Sequence, residues 1–202
     1  MIVQHPPPFA SWASPVGAKE QAAIIAKDEW HSGCPVPFSG LRILHVTYVG
    51  FDGRSHPGQL VVNRSAVRPL TIVFRKLYAA RFPIRHMRFS DEYGTRPKDG
   101  DITASMECRQ AVPSPCSGGT GTGHWSEHAY GEAVDLNPVE NPYVGCGMTR
   151  DKTALSFVKR TPLRKGMVTS FVLDTFVSVG WGWGGSWSGN TKDYMHFSAT
   201  GH

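Results

Sequence analysis

The chain has 202 residues, 40% of them apolar, with 10 Phe and 6 Trp, which is enough to enclose a core and too much for a disordered chain. Its formal charge of +5 is dispersed, with no polybasic run, so a dedicated nucleic-acid surface is not expected. No apolar stretch reaches the roughly 18 residues a membrane-spanning helix needs.

Residues 1–16 (MIVQHPPPFASWASPV) read as a proline-rich arm, and 17–202 as one domain. The arm has no basic region followed by an apolar stretch, so it is not an intact secretory signal. Residues 17–30 mix alanine, isoleucine and charged residues, the composition of a short helix, and the Gly-Cys-Pro at 33–35 breaks it. Residues 41–51 (LRILHVTYVGF) and 59–63 are rich in β-branched and aromatic residues, so two strands are expected, with the turn-prone DGRSHPG between them forming a long hairpin loop. Ser65 is placed to cap a helix running to about residue 81, with Val67, Leu70, Phe74 and Leu77 on one face. Residues 83–89 read as extended. A second amphipathic helix is expected over 166–179, with Val168, Phe171, Val172, Phe176 and Val179 facing inward and Gly180 ending it. In the WGWGGSWSG that follows, Trp181, Trp183 and Trp187 read as packing and turn residues, with a cleft-lining role as the alternative. The sum is an α+β fold: helices flanking a small, largely antiparallel sheet in a single domain.

Four cysteines (Cys34, Cys108, Cys116, Cys146) lack any C-x-x-C spacing, so a thiolate zinc site or a redox pair is not indicated. Two disulfides and an oxidising compartment fit an even count. Three connectivities are open, with Cys34–Cys108 and Cys116–Cys146 favoured; buried free thiols are the alternative.

The chemistry concentrates in SEHAYGEAVD, residues 126–135. His128 and Asp135 lie seven residues apart, with Gly131 between them to allow a sharp turn. Asp135 sits among strand-forming apolar residues, where a carboxylate is costly unless a cation compensates it. Near the end of the chain DYMHF, residues 193–197, again sets an acid and a histidine in an apolar setting. Two histidines and one carboxylate, His128, Asp135 and His196, form a three-ligand zinc set with a fourth position free for water, the arrangement of a catalytic site. Asp193 is the candidate general base beside it. The competing reading is two satisfied core histidines, because a chain with 9 His pairs some of them with acids by chance.

These two segments resemble the D-alanyl-D-alanine metallopeptidase family, whose signature is S-x-H-x-x-G-x-A-x-D followed by a late acid-x-x-His. That family includes D,D-carboxypeptidases, vancomycin-resistance D,D-dipeptidases and L-alanyl-D-glutamate endopeptidases of bacteria and phages. Its wider superfamily takes in lysostaphin-like peptidases and the Hedgehog signalling domain. The resemblance runs over about 60–202 and is best in 105–144 and 180–198. It implies that His128, Asp135 and His196 hold Zn2+ and that Asp193 is the catalytic acid and base. It implies too that Arg109 orients the substrate and stabilises the oxyanion, and that Ser126 sits beside the substrate. The implied substrate is a peptidoglycan stem peptide, cut at D-Ala-D-Ala or at L-Ala-D-Glu. A monomer is expected, secreted or otherwise extracytoplasmic, or delivered to the wall by a phage, with no nucleic-acid partner. The alternative is a catalytically silent zinc-containing module that binds the cell wall or signals. Two positions depart from the family pattern: Met195 stands where many members carry tryptophan, and a Gly/Ser/Pro loop with Cys116 lengthens the gap between Arg109 and His128.

Overall fold

The structure, a computed structural model, describes residues 7–117 and 121–202. Its centre is β2 (Leu41–Gly50), the apolar segment expected as a strand. One edge of β2 pairs antiparallel along its length with β3 (Ser55–Asn63), from Leu41↔Asn63 to Val49↔Ser55. The other edge is shared by β1 (Ser11–Pro15), antiparallel, and by β4 (Pro83–Ile84), parallel.

Both faces of this sheet are covered, which is why β2 reads as almost continuously apolar. Leu44, Val46, Tyr48, Leu60 and Val62 pack against Leu70, Val73, Phe74 and Leu77 of α2 (Val67–Ala79). On the opposite face Leu41, Ile43 and Val61 meet Ile24 of α1 (Ala18–Ala26) and Tyr93 of α3 (Phe89–Tyr93). Burying each such aliphatic or aromatic side chain contributes roughly 2 kcal/mol before conformational entropy is counted.

The second half of the chain adds two smaller sheets. β5 (Ala133–Asp135) pairs with β9 (His196–Ser198), which pairs in turn with β7 (Gly182–Trp183). β6 (Tyr143–Gly145) pairs with β8 (Thr191–Asp193). Val134, Leu136 and Phe197 join the α2-side core, where Phe197 stacks on Phe176 of α4 (Ser170–Val177) at 3.8 Å between ring centroids. The site-bearing strands are therefore fixed to the main core, and the α+β expectation holds, with three sheets in place of one.

Several local expectations are corrected. Part of the 1–16 arm is a strand, because Ser11–Pro15 completes the open edge of β2; residues 1–6 lie outside the described residues. The hairpin loop is short, since β3 begins at Ser55 and takes in Pro57, which an edge strand tolerates. Asn63, not Ser65, caps the turn leading into α2: its Oδ1 accepts from the Ser65 N–H at 3.1 Å, while Ser65 Oγ donates to Glu132 Oε1 at 2.5 Å. α4 starts later than expected, at Ser170, capped by Thr169. Val172, Thr175 and Phe176 face inward, whereas Phe171, one residue off that stripe, is 46% exposed. Both favoured disulfides are present, Cys34–Cys108 and Cys116–Cys146, with Cα–Cα distances of 5.8 and 5.4 Å.

Candidate metal centre and cleft

The antiparallel register sets Asp135 directly opposite His196, so β5 and β9 deliver two of the candidate ligands side by side. His128 comes from a short 3-10 turn, Glu127–Tyr130, capped by Ser126, whose Oγ accepts from the His128 N–H at 3.4 Å. Gly131 then turns the chain back towards β5 with φ +65°, and a Cβ there would lie 2.6 Å from the Asn63 backbone nitrogen. Only glycine meets both demands, which accounts for its place in the motif.

The three donor atoms converge. His128 Nε2 lies 3.1 Å from His196 Nδ1 and 3.2 Å from Asp135 Oδ1, and His196 Nδ1 lies 3.4 Å from the same oxygen. Donors about 2.05 Å from a tetrahedral zinc sit about 3.3 Å apart, so the spacing fits such an ion. The tautomers fit as well. His128 Nδ1–H donates to the Ser105 carbonyl at 2.6 Å, and His196 Nε2–H donates to the His202 carbonyl at 3.0 Å. A carbonyl only accepts, so each neutral ring turns an unprotonated nitrogen towards the centre. Asp135 Oδ1 is buried with no hydrogen-bond partner. Three lone pairs facing one another in a buried site call for a cation. In the metal-free protein burial raises the Asp135 carboxyl, but attraction to and hydrogen bonds from His128 and His196 outweigh it and hold it far below the usual carboxylate range.

Asp193 ends β8, and its carboxyl is buried with Oδ1 unpartnered. Burial first and then the Asp135 charge push its pKa up to about 7, against the opposing pull of His196 and Arg109. A carboxyl so poised can take a proton and return it near neutral pH. Gly184 makes room for it: a Cβ there would sit 2.8 Å from the Asp193 Cβ and 2.5 Å from its carbonyl oxygen.

Arg109 lies in the same cleft despite the lengthened loop, oriented by a 2.6 Å bond from its Nε to Glu107 Oε2. Its charge is reinforced by Glu107, Asp135 and Asp193. Ser126 also lines the cleft besides capping the His128 turn. The cleft has a volume of about 350 Å3 and is open to solvent on one side. The three tryptophans divide. Trp181 is buried in the core; Trp183 packs near Phe197 and donates to the Tyr194 carbonyl; Trp187 lines the cleft, its ring 5.7 Å from that of His196. Trp125, Val112 and Tyr143 also line it. Nothing in their local sequence marked them, because tertiary packing of separate segments brings them there. A second group, His31 with Cys34 and Cys108, also has close donor atoms, but both sulfurs are committed to a disulfide.

Fold and cleft together set a cluster of candidate metal ligands into the floor of a cleft in an α+β framework. Residues 120–199 match the profile of the family described as D-alanyl-D-alanine carboxypeptidase, and the His128, Asp135 and His196 cluster lies within that segment. The match takes in His128, Asp135, Asp193 and His196, and leaves Arg109 before its start. No curated protein and no solved structure gave a match to the chain. Among the described residues, no helix is long and apolar enough to cross a membrane.

Proposed function

We propose that the protein is a zinc-dependent peptidase of peptidoglycan stem peptides, acting first on the D-alanyl-D-alanine bond outside the cytoplasm. The observation that carries this reading is the convergence of three donors, His128 Nε2, Asp135 Oδ1 and His196 Nδ1, beside the buried and unpartnered carboxyl of Asp193 in an open cleft. Two imidazole nitrogens and one carboxylate oxygen form the donor set of a catalytic zinc. The bound metal would supply Lewis-acid chemistry, polarising the scissile carbonyl and acidifying water.

The side chains supply the rest. Asp193 accepts the proton of the attacking water and later passes it to the leaving amine. Arg109, held by Glu107, presents a fixed positive charge to the oxygen that becomes anionic. Trp187 and Trp125 border the substrate channel. The two disulfides support an oxidising, extracytoplasmic location.

The test is incubation of zinc-loaded protein with a disaccharide pentapeptide, with and without chelator, and mass spectrometry of the products. Loss of one alanine, blocked by chelator and restored by zinc, is the expected result. Release of the peptide from the sugar-linked L-alanine would move the assignment to an endopeptidase. No product under any metal condition would reject hydrolysis and leave a zinc-containing binding module. His128→Ala and His196→Ala are expected to lose the metal itself, read by elemental analysis.

A further inference from the structure

Although no polybasic run occurs, the formal charge of the chain is unevenly placed. Six of its 21 cations and one of its 16 acids fall in residues 150–165, which therefore carry +5, and the 15 cations and 15 acids elsewhere cancel. The segment begins with a 3-10 turn, Lys152–Phe157, capped by Asp151, whose Oδ1 accepts from the Thr153 N–H at 2.8 Å. Its one acid is thus engaged with the backbone. Among the described residues, none of Arg150, Lys152, Lys159, Arg160, Arg164 and Lys165 forms an ion pair. The arginines are held by neutral groups instead. Arg150 donates to the Ser114 carbonyl at 3.2 Å, Arg160 to the Glu140 carbonyl at 2.6 Å, and Arg164 to the Ser156 carbonyl, its guanidinium 3.8 Å from the centre of the Phe157 ring. Burial first, and then repulsion from Arg164 against the opposing pull of Tyr194, lower Arg160 to about 10. Like charges press on one another here with no acid between them.

The same stretch exposes apolar side chains. Among the described residues five large hydrophobics are more than half exposed, and three of them, Met148, Leu155 and Leu163, at 57%, 57% and 51%, lie here. A single exposed apolar side chain is ordinary, and cations alone suit any polyanion. The combination separates the choices. A phosphate-bearing polymer in water leaves the leucines wet, whereas an anionic bilayer meets cations at its headgroups and apolar side chains just below them. Arg164, next to Leu163, reaches back to Ser156 and Phe157, next to Leu155, so both leucines belong to one region of surface. Arg160 anchors that region beside the strand pair β6–β8, its guanidinium 4.5 Å over the ring of Tyr194, the residue after Asp193.

We propose that residues 148–165 form a peripheral docking surface for a bilayer rich in anionic phospholipid. The surface is independent of hydrolysis, so it stands or falls without the peptidase reading.

The experiment is sedimentation of the full chain with vesicles of phosphatidylcholine alone or mixed equally with phosphatidylglycerol, at about 0.1 M and about 0.5 M salt. Binding is expected only to the anionic vesicles, and weaker at the higher salt. Lys152 and Lys159 are exposed, and Lys152→Gln with Lys159→Gln should lower the affinity about 30-fold. Lys19→Gln with Lys98→Gln removes two exposed cations elsewhere and should leave it unchanged. Leu155→Ser with Leu163→Ser should weaken vesicle binding about tenfold or more, with binding to soluble polyphosphate unaltered. Equal binding to both kinds of vesicle, no binding to either, or equal losses in the two lysine pairs would overturn the surface. Vesicle binding undiminished in the leucine pair would also overturn it, in favour of a soluble polyanion as the partner.

Discussion

Asp193 and Asp135 are carboxyls of one cleft driven in opposite directions. Asp135 faces two imidazoles and stays ionised, while Asp193, buried and facing Asp135, rises to about 7. Under the proposed mechanism only the second can shuttle a proton. Asp193→Asn keeps shape and volume and removes that capacity, so turnover should fall by about 10²–10⁴ with metal content unchanged, checked by peptide hydrolysis beside elemental analysis. Turnover equal to the wild type would remove Asp193 from the role of base. At this scale the side chains with chemistry were legible in SEHAYGEAVD and DYMHF. Their orienting partners were not, because the Ser105 and His202 groups that fix the imidazoles are backbone carbonyls, which any residue carries. Ser126, expected beside the substrate, lines the cleft and also accepts from the His128 N–H, a capping bond that the family signature alone does not announce.

At the scale of elements, composition located α1 and β2, and periodicity located α2, where a single pattern runs long enough to define a face. It failed at ends and junctions. Val168 is buried just before α4 begins, so counting it into the helical stripe drew the exposed Phe171 inward as well. Short strands such as β7 and β9 exist because they pair with one another, and two or three residues carry no period of their own. Here the decisive residue is Gly131, which reverses the chain between the His128 turn and β5 while its carbonyl accepts from the Asn63 N–H at 2.8 Å. Gly131→Ala places a Cβ 2.6 Å from the Asn63 nitrogen at a φ of +65°. A loss of about 1–3 kcal/mol in unfolding free energy is expected, measured by denaturant titration of the metal-free protein. The His128 turn moves with it, so zinc affinity should also drop in a chelator competition.

For the whole molecule, charge buried between layers gives stability a definite pH dependence. Arg85 donates to Asp101 at 3.0 Å and to Glu140 at 2.6 Å, tying the segment after α3 to the one that follows β5. One cation faces two buried carboxyls. Burial, followed by a hydrogen bond and repulsion from Glu140, pushes Asp101 up to about 8. Asp193, at about 7, is shifted the same way, as is Glu29, where burial leads and Glu107 adds to it. Between the ordinary carboxyl range and these values the folded protein holds protons that the unfolded chain has released. Its stability therefore falls as pH rises from about 4 towards 8. Asp135, shifted downward, has the opposite sign and acts only below about 4. The metal-free protein should thus melt at a higher temperature at pH 5 than at pH 8. Glu140→Gln keeps an oxygen for Arg85 and replaces the unpartnered Oε2 with an amide. It removes the neighbouring negative charge that helps raise Asp101, so the difference between the two pH values should shrink. Thermal scans of both proteins in chelator at pH 5 and pH 8 measure it; an undiminished difference would mean that Glu140 does not raise Asp101.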